Sequence, residues 1–177
     1  YPEPMKPKVS VYIPNHNYSN YLSQAIDSVV DQNYDNWELI IILDAPIDDS
    51  YSLIKSYQEK LGDKIRIFEN KKKKGLQYCA NLAIKEAKGD YIIRLDSDDF
   101  FNESALRIMS SFLDDNPDVA MVYPDYFYID QQGNFLDIDT RKKLGENDLA
   151  FNLPAHGACS MIRLRILNQL GGYSENF

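Results

Sequence analysis

One segment of the sequence limits the fold more than any other. The run from Trp37 to Leu43 is almost entirely apolar and ends abruptly at Asp44. A strand with one face in water alternates apolar and polar residues, so a continuous apolar run indicates a strand covered on both faces. Such strands belong to parallel sheets that carry helices on both sides. The segment therefore predicts an α/β protein.

The first two thirds of the chain repeat this strand–helix alternation. Each predicted strand is followed by apolar residues at helical spacing, and the strands are 9–13, 37–43, 64–68 and 91–95. The order β-α-β-α-β-α-β-α predicts a Rossmann-like, mostly parallel sheet wound with helices on both faces. Later residues predict a small C-terminal hairpin and loop region: strands in 119–129 and 135–139, a polar loop over 141–154 and a last helix over 160–170.

Length and charge exclude several classes of function. The 177 residues suit a single domain spanning 1–177, and 19 basic against 27 acidic residues give a net charge of −8. An acidic chain repels phosphate backbones, so we expect no nucleic-acid partner. No apolar run approaches the ~20 residues of a membrane span, so we expect no integral membrane segment. Two cysteines without metal or redox spacing indicate a cytoplasmic protein, with peripheral contact at the inner membrane face left open.

Polar groups follow three of the predicted strands, where wound sheets bind ligands. They are residues 14–17, Asp44, and the acidic run 96–99. Three carboxylates within four residues repel one another unless a cation is present, and Mg²⁺ or Mn²⁺ often combines such carboxylates with substrate phosphates. The residues alone leave two interpretations open: a metal–phosphate site, or a helix N-cap made by Asp98 or Asp99.

Nine short segments, spread over almost the whole chain, carry a common pattern: 9–18, 21–22, 25–29, 32–34, 37–41, 81–84, 87–92, 95–99 and 171–177. In residues, order and spacing they resemble the family 2 glycosyltransferases of GT-A fold. The resemblance implies inverting, metal-assisted transfer of a sugar from a nucleotide-diphosphate sugar to an acceptor hydroxyl, with Mg²⁺ or Mn²⁺ as cofactor. It also implies a saccharide, lipid-linked or protein acceptor and a role in polysaccharide biosynthesis of the cell envelope.

The resemblance assigns two strand ends to the nucleotide. The family's first strand ends in a proline-polar-polar-asparagine turn that touches the nucleotide, and Pro14 and Asn17 match it. Its second strand usually ends in two aspartates, the second of which binds the donor base; here Asp44 keeps that role and Leu43 replaces the first. A carboxylate suits the N–H of uracil, so a UDP-sugar is the expected donor, although guanine would also fit.

The resemblance also assigns the acidic turn and one lysine. The family's D-x-D motif corresponds to Asp96, near the ribose, Ser97, and Asp98, the expected metal ligand. Among the lysines of 71–74, Lys74 is the best candidate for a nucleotide contact. A solvated loop is the simpler interpretation of this lysine run.

The catalytic base is the part of the pattern that the sequence does not contain. Family members typically continue past the glycine-glycine-aromatic motif to an acidic base, which would lie beyond Phe177. We therefore expect the native chain to be longer, and this fragment to bind donor but transfer it poorly. His156 is a weak candidate for a substitute base within the chain.

Two other classes of function fit the sequence less well. A sugar-nucleotide nucleotidyltransferase would need a glycine-rich basic loop after the first strand, and residues 17–24 contain neither glycine nor lysine. A magnesium-binding receiver-like signalling module would need an acidic pair there, where the chain has Asn15-His16-Asn17. Both remain alternatives to the glycosyltransferase.

Overall fold

A six-stranded sheet forms the centre of the protein. The computed structural model describes residues 6–140 and 158–175. In chain order the elements are β1 (Val9–Asn15), α1 (Ser19–Val30), β2 (Trp37–Asp44), α2 (Ser50–Leu61), β3 (Ile65–Asn70), α3 (Leu76–Glu86), β4 (Tyr91–Arg94), α4 (Ala105–Asp115), β5 (Met121–Val122), β6 (Tyr126–Ile129), β7 (Phe135–Asp139), β8 (Met161–Arg163) and α5 (Leu164–Leu170). A 3₁₀ turn at Gly62–Lys64 connects α2 to β3.

The strand order explains where a ligand site can form. The main sheet has the order β3-β2-β1-β4-β8-β5, in which β1 to β4 are parallel and β8 is antiparallel to both of its neighbours. The chain leaves β1 toward β2 on one side, and β4 later joins β1 on the other side. The carboxyl ends of β1 and β4 therefore flank the switch point of the sheet, where open α/β sheets bind ligands.

Alternate residues of β2 feed two separate cores. Leu39, Ile41 and Leu43 pack on the face covered by α1, α2 and α4, whereas Ile40 and Ile42 pack on the face covered by α3 and α5. All five side chains are fully buried. Each contributes about 2 kcal/mol of transfer free energy, which explains why this strand has no alternating pattern. The predicted wound α/β architecture is confirmed.

Glu38 is the charged exception in β2, and it joins three segments. Its Oε1 accepts hydrogen bonds from Ser10 Oγ at 2.7 Å and from Lys88 N at 2.6 Å, while Arg66 Nη2 donates to Oε2 at 2.7 Å. Gly89 follows, and a Cβ there would lie 2.8 Å from Ser10 N. The end of α3 is thus fitted tightly against the start of β1.

Asp48 connects the first turns of two helices. Its Oδ2 accepts from Ser19 N at 3.0 Å, at the start of α1, and its Oδ1 accepts from Ser50 N at 3.1 Å, at the start of α2. Both backbone N–H groups would otherwise lack an intrahelical partner. Burial opposes ionisation of Asp48, but the side chain of Ser50 and the two backbone N–H groups together outweigh it and lower the pKa of the carboxyl.

The later third of the chain differs partly from expectation. The predicted hairpin is present as β6 and β7, which form a separate two-stranded sheet. The predicted helix over 160–170 is wrong at its start, because Met161–Arg163 pairs with the open edge of β4 and the helix begins only at Leu164. Pairing with a distant strand overrides the local helical pattern here. The predicted loop over 141–154 lies outside the described residues.

Candidate functional site

The turn after β1 contacts both neighbouring strand ends. Ser97 Oγ donates to the carbonyl of Pro14 at 2.8 Å, which joins the turn to the acidic run after β4. His16 Nδ1 lies 2.6 Å from the carbonyl oxygen of Asp44, and because a carbonyl only accepts, this ring nitrogen carries the proton. The three polar strand ends that the sequence singled out therefore form one edge.

Asn17 and Ala45 adopt backbone conformations that shape this edge. Asn17 has φ 63°, a left-handed conformation that asparagine tolerates, and its Oδ1 accepts from Ile47 N at 2.9 Å. Ala45 has φ 55° directly after Asp44. Since a left-handed conformation is disfavoured for alanine by about 1 kcal/mol, the surrounding contacts must hold Ala45 in it.

The carboxylate of Asp44 is buried and already binds protein groups. Oδ1 accepts from Asn70 Nδ2 and Lys74 N, both at 2.9 Å, and Oδ2 accepts from Gly75 N at 2.8 Å. The two backbone N–H groups lie just before α3, where a negative charge is favourable. Asp44 thus ties the lysine loop, defined as residues 71–74, to the end of β2. Its predicted base contact stays a prediction and would be an additional hydrogen bond.

Two side chains beside Asp44 have defined environments. Lys74 is exposed, and its ammonium group lies 5.2 Å above the ring of Tyr78. Its predicted nucleotide contact stays a prediction. Cys79 is buried beneath the same loop, and burial, with a smaller effect from the charge of Asp44, raises the pKa of its thiol to about 12. This cysteine is a protonated core residue.

Asp96 and Asp98, two of the three carboxylates in the acidic run after β4, have different surroundings. Arg94 places Nε 3.0 Å from Oδ1 of Asp96 and Nη2 3.3 Å from Oδ2; the first is a charge contact and the second a hydrogen bond. Asp98 is exposed, and within the described residues its carboxylate makes no hydrogen bond or ion pair. The N-cap of α4 is Ser104, so the interpretation of Asp98 or Asp99 as its cap is wrong.

The side chains present fit a metal that is shared with a substrate. In the described ranges, no group of three histidine, cysteine or acidic side chains could hold an ion. Mg²⁺ commonly binds one or two carboxylates together with substrate phosphates, and the same hard oxygen ligands suit Mn²⁺. Asp98, with an unpaired carboxylate at the strand edge, fits that arrangement.

The last described segment docks beside this edge. Asn81 in α3 accepts from Tyr173 N at 2.8 Å and donates to Tyr173 O at 2.9 Å and to Oε1 of Glu175 at 2.7 Å. Gly172 has φ 80°, and a Cβ there would lie 2.5 Å from Asn81 Oδ1, so the position requires glycine. Tyr173 also borders a small cavity together with Arg94.

Sequence reasoning named most of this edge but missed two residues. Arg94 was visible as a cation in an apolar strand, two positions before Asp96 and hence on the same face. Asn81 begins a segment of the family pattern, but the sequence gave no signal of its role, because its partners lie more than 90 residues away. His156, the weak candidate for the base, lies outside the described residues.

The fold and this edge define the class of protein. The mostly parallel wound sheet carries an acidic turn at its switch point, and the protein has the GT-A fold. Residues 10–171 match the family model described as Glycosyl transferase family 2, and the chain belongs to that family. The match favours the glycosyltransferase over the nucleotidyltransferase and receiver-like alternatives.

Curated relatives and solved structures agree with this. TuaG of Bacillus subtilis, named for teichuronic acid biosynthesis, is 31% identical over 75% of this chain and 52% of its own. Chondroitin synthase of Escherichia coli is 32% identical over 73% of this chain and 19% of its own. Two solved structures, both below 20% identity, share the fold. TarS of S. aureus in complex with UDP has a TM-score of 0.77 over 95% of this chain and 50% of that one. The mannosyltransferase PcManGT of Pyrobaculum calidifontis, in complex with GDP-Man and Mn²⁺, has a TM-score of 0.73 over 97% and 49%.

The chain spans about half, or less, of the length of the curated relatives it matches. None of the helices in the described residues is long and apolar enough to cross a membrane.

Proposed function

We propose that this chain binds the nucleotide-diphosphate sugar of an inverting, metal-assisted glycosyltransferase, with a UDP-sugar as donor. One observation carries the proposal: the turn after β1, Asp44 and the acidic run after β4 meet at the switch point of the sheet, and Asp98 is exposed there. In a family 2 member, this edge is where a nucleotide and its diphosphate would bind.

The nucleotide would bind across the strand ends. Pro14 and Asn17 form the wall beside β1, and Asp44 faces the base from the end of β2. Lys74 supplies a positive charge near the opening. The tie between Asp44 and the lysine loop supports this arrangement, because it fixes the loop next to the strand ends.

The acidic turn would hold the ribose and the diphosphate. Ser97 fixes the turn against Pro14, Asp96 accepts from the ribose, and Asp98 is the protein ligand of Mg²⁺ or Mn²⁺. The bound ion would stabilise the negative charge that develops on the leaving diphosphate. A general base must deprotonate the acceptor hydroxyl, and we assign it to no described residue.

The acceptor class follows from relatives rather than from the site. TuaG carries teichuronic acid biosynthesis in its name, and the TarS structures include complexes with UDP and UDP-GlcNAc. We therefore propose a glycan of the cell envelope as the product. PcManGT, whose complex holds GDP-Man and Mn²⁺, keeps a GDP-sugar open as the alternative donor.

The test is calorimetric titration with UDP and with GDP, each in Mn²⁺ and in EDTA. We expect tighter UDP binding with Mn²⁺, because the ion offsets the diphosphate charge, and Asp98→Ala should remove this gain. The exposed Asp118, which precedes β5 at the opposite edge of the sheet, gives a matched control: Asp118→Ala should retain the full gain. Equal UDP affinity in Mn²⁺ and EDTA would contradict the metal role.

A further inference from the structure

Arg94 is an arginine in a strand that is otherwise apolar. It is the last residue of β4, its side chain is 16% exposed, and its register partner in β1 is Tyr12. Residues two apart on a strand share a face, so the side chain of Arg94 is on the side of Asp96, which it contacts through two nitrogens. Two contacts restrict the orientation of this carboxylate more than one contact would.

Arg94 also determines the charge of the acidic turn. Asp96 and Asp98, separated by one residue, would each repel a diphosphate, but the guanidinium of Arg94 offsets the charge of Asp96. Asp98 has no such partner among the described residues. Tyr12 and Tyr173 line the same small cavity as Arg94, and burial raises the pKa of both phenols, so they stay neutral and do not compete for this cation.

We propose that Arg94 is a positioning residue of the donor site. It orients Asp96 and offsets its charge, so that, of Asp96 and Asp98, only Asp98 presents an unpaired negative charge to the donor diphosphate. The inference rests on the proposed function, and it adds a residue to which neither the family pattern nor the sequence assigns a role. Its consequence is that Arg94 sets how strongly nucleotide binding depends on the metal.

A second arginine–carboxylate pair provides the control. Arg66 donates to the buried Glu38 and its side chain is 22% exposed, so it resembles Arg94 in burial and in partner. This pair joins β2 and β3 close to the end of α3, away from the acidic turn. Its loss should lower stability without changing the charge at the donor site.

The experiment measures the ratio of the UDP dissociation constants in EDTA and in Mn²⁺ by calorimetry. Arg94→Gln removes the positive charge beside Asp96, so the acidic turn becomes more negative, repels the free diphosphate more strongly and attracts the ion more strongly. We expect this ratio to rise about fivefold. Arg94→Lys keeps the charge and should stay within about twofold of wild type. Arg66→Gln should lower Tm and leave the ratio unchanged.

The outcomes separate this inference from the function on which it rests. If Arg94→Gln does not fold, Asp96→Asn decides: it removes the charge that Arg94 cancels, so the ratio should fall about fivefold. A wild-type ratio in Arg94→Gln, or in Asp96→Asn when the first variant is unfolded, would overturn the role of Arg94 alone. Wild-type protein that binds neither UDP nor GDP in either condition would overturn the proposed function as well.

Discussion

Asp44→Ala tests whether this carboxylate serves the fold, the nucleotide or both. The substitution removes the acceptor for Asn70 Nδ2, Lys74 N and Gly75 N, three hydrogen bonds to a buried charge. Hydrogen bonds to charged groups contribute about 1.5–3 kcal/mol each, but the loop is partly exposed, so about 1 kcal/mol each is the appropriate estimate. The expected loss is about 3 kcal/mol, or a Tm lower by roughly 9 °C for a chain of this size.

Two measurements on the same variant distinguish the two roles. Thermal and urea unfolding report the tie to the lysine loop, and calorimetry with UDP in EDTA reports a base contact without the metal. Asp49→Ala is the matched control, because Asp49 is exposed, lies at the start of α2 and makes no side-chain capping bond. An unchanged Tm in Asp44→Ala would refute the structural tie. A lower Tm with unchanged UDP affinity in the folded variant would refute the predicted base contact.

Three further substitutions test the packing around the site. Gly89→Ala places a Cβ within 3 Å of backbone at the start of β1, and urea unfolding should show a loss of about 2 kcal/mol; wild-type stability would contradict this tight fit. Gly172→Ala collides with Asn81, so hydrogen exchange at the Tyr173 amide should become faster, whereas unchanged protection would mean that Asn81 does not hold the segment. Because folding lowers the pKa of Asp48, its ionised carboxyl stabilises the fold at pH values above about 4, the ordinary pKa of an aspartate. This stabilisation is lost as the pH falls through the lower pKa of the folded state. In Asp48→Asn, the free energy of unfolding should therefore fall less steeply than in wild type on acidification from pH 5 to pH 2, and parallel curves would refute the role of this carboxyl.

The sequence predicted those features that depend on residues close together in the chain. The apolar run from Trp37 to Leu43 predicted β2 correctly, because a strand buried on both faces must be apolar at successive positions. The polar strand ends predicted the edge where the site lies, since parallel strands place their carboxyl ends together. In both cases the pattern depends on neighbouring residues and on a general rule of sheets.

The sequence was uninformative where a role depends on a distant partner. Met161–Arg163 forms β8 because β4 offers a free edge, which lies almost 70 residues earlier in the chain. The sequence predicts a nucleotide-base contact for the carboxylate of Asp44. It could not predict the hydrogen bonds from the lysine loop, because they depend on how that loop folds back onto the end of β2. Arg94 and Asn81 have roles that only the folded contacts reveal.

The position of β8 has a consequence for how the chain folds during synthesis. The strands β4 and β5 are not neighbours in the sheet; β8 lies between them and is the last of these six strands to be made. At 5–20 residues per second, roughly 3–13 s separate the synthesis of β4 from that of β8. Throughout that interval the apolar strand Tyr91–Arg94 exposes an unpaired edge, a surface to which other chains can add. The growing chain is therefore most prone to aggregate just before β8 is made and pairs with both β4 and β5.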